Sequence, residues 1–285
     1  MRHPIFVSAT LAGALVLSAC AEKNANDTVA RAFKDVNVVD ETNLTDVMLT
    51  VADPNEAVAY FTRSVGEDPK RIDFQRGLAV SLVRAKRYTE ASVAFGKLVK
   101  MDGATASDRV DYADALIRSG DWAKAEKTLD TVQPTHETFK RYRLEAMVAD
   151  SNQEWKKSDS FYETAVGLTT RPAGIMNNWG YSKLTRGDFK DAERLFGDAI
   201  RQDPTLFTAK NNLILSRSAQ RDYTLPVIPM DQTERAQLLH TMALSAIKQG
   251  DVETGKSLLR DAIDTHPQHF EAAVRSLEAL DNSNG

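Results

Sequence analysis

Small and bulky apolar residues return along this chain in a fixed measure. A small residue stands at Ala57, Ala91, Ala125, Ser158, Ala192 and Gly255, and a bulky one four places later at Phe61, Phe95, Leu129, Tyr162, Phe196 and Leu259. Successive spacings are 34, 34, 33, 34 and then 63. A separation of four puts both residues on one face of a helix. Each pair follows a turn signal and a polar stretch, as in "GDFKDAERLFGDAIRQDP" at 187–204, "GDWAKAEKTLDTVQP" at 120–134 and "KRYTEASVAFGKLVKMD" at 86–102. Gly supplies the turn, and Pro cannot continue a helix, so the pattern predicts short helices in pairs.

The 34-residue period resembles the tetratricopeptide repeat, a unit of two antiparallel helices. The fit is closest over 173–206. There Gly180 is the small residue of the first helix, Gly187-Asp188 forms the turn, and Ala192, Phe196 and Ala199 face inward. Asp203-Pro204 closes the unit. The resemblance implies an all-α, right-handed solenoid of antiparallel helix pairs over 38–280, with a tail at 281–285. A divergent first unit spans 38–71, with Pro54 at the start of its second helix. Units follow at 72–105, 106–138, 139–172 and 173–206.

The doubled spacing of 63 marks an interruption. Residues 207–223, "FTAKNNLILSRSAQRDY", read as a first helix, but "TLPVIPMD" at 224–231 puts two prolines where the second should run. Pro removes a donor and restricts its predecessor, so an extended segment is expected and the unit 207–231 is partial. A last unit follows at 232–269, with Asp231 and Glu234 suited to a capping box, and 270–280 forms a terminal capping helix.

The start of the chain has a different pattern. Met1-Arg2-His3 is basic, and Ile5 to Leu17 is an uncharged apolar run. This is the layout of a secretory signal peptide over 1–19, and it is too short for a membrane-spanning helix. Leu17-Ser18-Ala19-Cys20 contains the single cysteine and resembles the lipobox of bacterial lipoproteins. That resemblance implies a diacylglyceryl group on the Cys20 thiol and an N-acyl chain on its freed amine. Several acyl chains hold a protein at a bilayer durably, each buried methylene contributing roughly 0.8 kcal/mol. Ala21, where an Asp would signal inner-membrane retention in that family, implies the outer membrane, facing the periplasm. Residues 20–37 are the lipidated cysteine and a polar tether, with a reach of about 25 Å as a coil and about 70 Å fully extended.

Charge and composition exclude some classes. The formal net charge is -4, and removing residues 1–19 takes one Arg and no acid, leaving -5. That balance argues against a nucleic-acid binder. With one cysteine no intramolecular disulfide forms.

Catalytic chemistry finds little support. "GDVETGKS" at 250–257 satisfies the phosphate-loop pattern of nucleotide hydrolases. That loop needs a preceding strand, whereas "ERAQLLHTMALSAIKQ" has helical spacing and the repeat accounts for Gly250-Asp251 and Gly255. His266 and His269 flank Pro267 at a helix boundary, and no zinc set is expected. The expectation is no enzyme, no metal, no nucleotide and no cofactor beyond the acyl groups. Trp122, Trp155 and Trp179 read as packing residues.

The candidate binding residues line the first helices of two neighbouring units: Asn177, Asn178 and Tyr181, then Lys210, Asn211 and Arg217. Asn and basic side chains hold peptide backbones or carboxylates by paired hydrogen bonds. The Pro-interrupted segment, then "ERAQLLHTMALSAIKQGD" and "THPQHFEAA", resembles the tight-adherence D (TadD) lipoproteins of Flp pilus assembly. This implies a pilotin-like scaffold for a type IVb pilus machine, binding the secretin or another assembly component. The alternative is an envelope adaptor for outer-membrane protein insertion or peptidoglycan hydrolase regulation.

Overall fold

The computed structural model describes residues 41–282; the expected signal peptide, Cys20 and the whole of the tether lie outside the described residues. The described residues form fourteen helices and no strand. The chain divides into two units, Met1–Asp53 and Pro54–Gly285, and the first expected repeat, 38–71, falls across that division. In the first unit α1 spans Glu41–Thr50, and the Thr50 hydroxyl donates to the Asp46 carbonyl at 2.6 Å.

The second unit begins with α2, Pro54–Glu67. Four helix pairs follow: α3 (Ile72–Arg84) with α4 (Tyr88–Leu98), α5 (Ala106–Arg118) with α6 (Trp122–Leu129), α7 (Phe139–Ser151) with α8 (Trp155–Gly167), and α9 (Ala173–Thr185) with α10 (Phe189–Gln202). The helix α11 (Phe207–Ala219) has no second helix. Then α12 (Gln232–Lys248) pairs with α13 (Val252–Thr265), and α14 (Glu271–Asn282) covers the end.

One turn joins the two helices of every pair. Its central residue is left-handed: Lys86 at φ 58°, Gly120 at 87°, Gln153 at 61°, Gly187 at 83° and Gly250 at 87°. In each case that residue's N–H bonds three residues back and the next N–H bonds five back, as in Gly187 to Leu184 at 3.2 Å and Asp188 to Lys183 at 2.9 Å. This is the Schellman cap, which satisfies carbonyls left open at a helix end. Arg221, at φ 59° after α11, makes the same two bonds, to Ser218 and Arg217. The interrupted repeat therefore keeps its turn and loses only its second helix.

Residues 222–231 have no regular structure. Pro226 and Pro229 would sit inside the missing helix without N–H groups and with rings against the preceding turn. Their neighbours fill its place. Tyr223, Leu225 and Met230 pack on the core around Ile214, Leu238 and Met242, and Ile228 packs on that around Phe196 and Leu213. The Tyr223 hydroxyl donates to Asp251 at 2.6 Å.

The repeated positions form the core. Ala57, Ala91, Ala125, Ser158 and Ala192 are wholly buried, Gly255 is buried, and Phe61, Phe95, Leu129, Tyr162, Phe196 and Leu259 are at most 3% exposed. Each large side chain so buried contributes about 1.5–3 kcal/mol. The capping box expected at α12 is present, with Glu234 N–H donating to Asp231 and Asp231 N–H to Glu234.

Candidate functional site

Second helices pack against first helices on both sides, while first helices also touch one another, α7 against α9 and α9 against α11. Between them lies an open groove of about 500 Å³. Its floor is polar and fully partnered. The Asp150 carboxylate on α7 accepts from Ser158 Oγ at 2.5 Å and Tyr162 OH at 3.0 Å on α8, and from Ser182 Oγ at 2.7 Å on α9. Burial, with the adjacent Asp150 charge, pushes the Tyr162 phenol well above its ordinary pKa, so it remains a donor.

The walls come from successive first helices. Asn177, Asn178 and Tyr181 lie along α9, as the sequence placed them, with Thr185 below. Thr208 and Asn212 face them from α11. Asn212 Nδ2 donates to Asn177 Oδ1 at 3.0 Å and so couples two repeats. Asn178 Nδ2 reaches only Met147 Sδ, at 3.8 Å, and among the described residues its amide oxygen has no partner. Tyr181 is 53% exposed and Trp122 36%.

The structure takes the other three candidates elsewhere. Lys210 is 2% exposed, and its ammonium pairs with Glu234 at 2.7 Å, tying α11 to the capping box of α12. Asn211 Oδ1 accepts from Thr241 Oγ1 at 2.8 Å. Arg217 is bound to Asp222 and reaches Glu193 at 3.6 Å. All three hold neighbouring helices or turns together. The sequence reading passed over Asn212, although it stands 34 residues after Asn178, in register with it.

The tryptophans divide. Trp122, 36% exposed, lines the groove. Trp179 does pack, stacking on Tyr162 at 6.2 Å and donating to Asp159 at 2.7 Å. Trp155 lies under the Arg186 guanidinium, 5.5 Å from its ring centre. Asp159 also receives Arg186 at 2.6 Å and Lys183 at 3.1 Å. Burial alone would raise its pKa, but the donors from Trp179, Arg186 and Lys183 outweigh that and hold it below the usual value.

The phosphate-loop letters are not a loop. Gly250 is a Schellman turn after a helix, and Gly255 and Lys256 lie inside α13, with the Gly255 N–H bonded to the Asp251 carbonyl. Lys256 pairs with Asp281 at 2.7 Å. The histidines have separate partners: His240 with Ser276, His266 with the Gln268 backbone and His269 with Glu271. Among the described residues no group of three His, Cys, Asp or Glu side chains is placed to hold a metal ion, and no helix is long and apolar enough to cross a membrane.

Residues 49–109 and 237–269 match tetratricopeptide-repeat family models. Stress-induced-phosphoprotein 1 of Caenorhabditis elegans is 24% identical over 153 residues, covering 53% of this chain and 48% of that protein. Among solved structures, that of the APC/C hetero-tetramer Cut9-Hcn1 aligns with a TM-score of 0.60 at 13% identity, covering 88% of this chain and 51% of that one. A tetratricopeptide repeat protein from Parabacteroides merdae aligns with a TM-score of 0.55 at 12% identity, covering 82% and 94%. The chain spans about half the length of the curated relative and of the first of these structures. Together with the repeated pairs and their common turn, these likenesses fix the architecture: the chain carries tetratricopeptide repeats stacked as an all-α solenoid.

Proposed function

We propose that this protein is a non-enzymatic scaffold whose groove holds an extended segment of a protein partner. The observation that carries the reading is the groove's chemistry. The open amide of Asn178 offers a donor and an acceptor to a passing backbone, and the exposed rings of Tyr181 and Trp122 offer apolar area to its side chains. The floor beneath is already satisfied, so it shapes the groove without competing for the ligand.

The finer reading comes from the sequence. Leu17-Ser18-Ala19-Cys20 followed by Ala21 supports a lipid anchor in the outer membrane with the solenoid facing the periplasm. The arrangement of the Pro-interrupted repeat and the terminal unit supports a pilotin-like role in Flp pilus assembly, with the secretin or an associated component as partner. A native pulldown from detergent-solubilised envelopes tests it. Recovery of a secretin, lost in Tyr181→Ala combined with Asn178→Ala, is the expected result. Recovery of barrel-assembly proteins or cell-wall enzymes without pilus components would move the function to an envelope adaptor.

A further inference from the structure

Two apolar residues of the groove belong to a longer row. Met147, Tyr181, Leu215 and Leu244 each stand six residues before the left-handed turn residue of their own unit, which is Gln153, Gly187, Arg221 or Gly250. They therefore hold one position on four successive first helices, α7, α9, α11 and α12, each in contact with the next. Met147 and Tyr181 line the groove, and the other two carry the row past it. Leu244 is 46% exposed and Leu215 half-buried. The row is uncharged, and it stops at α5, where the same position is Asp114, held by Arg118 and Lys140.

A row of amides runs beside it. Asn177 and Asn211 lie four residues before Tyr181 and Leu215, and so share their faces of α9 and α11. Their amide oxygens accept from Asn212 and Thr241, while among the described residues their amide nitrogens donate to nothing. A ligand lying along both rows therefore meets apolar side chains on one side and open donors on the other.

The spacing of the helices selects the form of that ligand. Packed helices stand about 8–10 Å apart. A polyproline II segment completes a turn in three residues and rises about 9 Å, so its residues i and i+3 point the same way at that spacing. In a β-strand the same-face neighbours i and i+2 are only about 6.6 Å apart, and i+3 points away. An α-helix brings i and i+7 to about 10.5 Å, but its backbone groups are bonded internally and leave nothing for the amides.

We infer that the held segment carries a bulky apolar side chain at every third residue, seated in polyproline II form on Met147, Tyr181, Leu215 and Leu244. This rests on the groove being a peptide site and names the chemistry and backbone form of its ligand. A segment meeting all four positions is about ten residues long.

The test is selection of a displayed random dodecapeptide library on the full chain. Selected peptides should align with apolar residues at i, i+3 and i+6. Changing one of these to Ser in a selected peptide should weaken binding roughly fivefold to fiftyfold. Leu244→Ser should lose a similar factor with the parent peptide, and nothing further with the peptide already changed at one terminal apolar position. An unchanged melting temperature separates a lost contact from a lost fold, and the peptide substitutions do not depend on the variant at all. Apolar residues recurring at every second residue, at helical spacing or at no fixed spacing would overturn the inference while leaving the groove standing. Undiminished binding to Leu244→Ser would do the same. Failure to select any peptide overturns the groove itself.

Discussion

The ring of Phe61 occupies the space that a side chain at Gly77 would need, for a Cβ built there would lie 2.3 Å from it. Phe61 is wholly buried and cannot swing aside. Gly180 stands in the same relation to Phe196, at 2.7 Å. Overpacking of this kind costs about 1–3 kcal/mol, against a gain of about 1 kcal/mol from helix propensity. Gly77→Ala and Gly180→Ala should each lower stability by up to about 2 kcal/mol in urea denaturation. A stabilised variant would mean that the rings can yield.

The six left-handed turns make opposite predictions for opposite residues. Lys86 and Gln153 carry a Cβ in a conformation that costs an L-residue roughly 1–2 kcal/mol. Gln153→Gly should therefore raise the chemical denaturation midpoint, by roughly 0.5–1 kcal/mol of stability once the extra chain entropy of Gly is offset. Gly187→Ala should lower it by about 1 kcal/mol. Equal responses in the two variants would contradict the shared geometry.

Asp150 accepts from three hydroxyls on two helices, one of them the 1% exposed Tyr162. Asp150→Ala leaves these donors unsatisfied and should cost about 2–4 kcal/mol. Asp150→Asn keeps an acceptor and should cost less. Thermal melts of the two variants give the order, and equal losses would argue that the carboxylate is not the organising group.

Acid should weaken the solenoid in two steps. Burial lowers the His240 pKa below its ordinary value, so between about 6.5 and the folded pKa the unfolded chain binds the proton first. The stability is fully present above pH 6.5 and falls below it. At Asp108 burial opposes, but the Arg76 and Thr105 hydrogen bonds prevail and hold the folded pKa below the usual carboxylate value. That contribution is present above about pH 4 and is lost as pH falls through the folded pKa. His240→Gln should flatten the first limb of a stability–pH curve, and Asp108→Asn the second.

The proposed lipid anchor has a direct check. Cys20→Ser should accumulate as an unprocessed precursor without acyl label in cells given labelled palmitate. Normal processing and labelling of that variant would remove the lipobox assignment.

Much of the fold was legible because burial repeats with the chain. The positions that recur every 33 or 34 residues, and once after 63, are those buried between helices. The turns were half legible: Gly120, Gly187 and Gly250 announce a left-handed residue, whereas Lys86, Gln153 and Arg221 adopt it only because the repeat imposes it. At the groove, Asn177, Asn178 and Tyr181 share a face that periodicity reveals. Lys210, Asn211 and Arg217 were misjudged because one residue on a helix is a rotation of 100°, and their partners Glu234, Thr241 and Asp222 became visible only in three dimensions.

The strap at 222–231 has a consequence for how the stack comes apart. In an array of repeats, cooperativity is passed from neighbour to neighbour through the interface each unit presents. Here α11 packs on α12 through Lys210–Glu234 and Asn211–Thr241, but the second-helix side of the link is only four side chains and a tyrosine hydrogen bond where a whole helix would stand. That junction is the seam of the array. Amide exchange should show residues 232–282 opening as a block of their own before the rest, so that one chain behaves as a long spring joined to a short one.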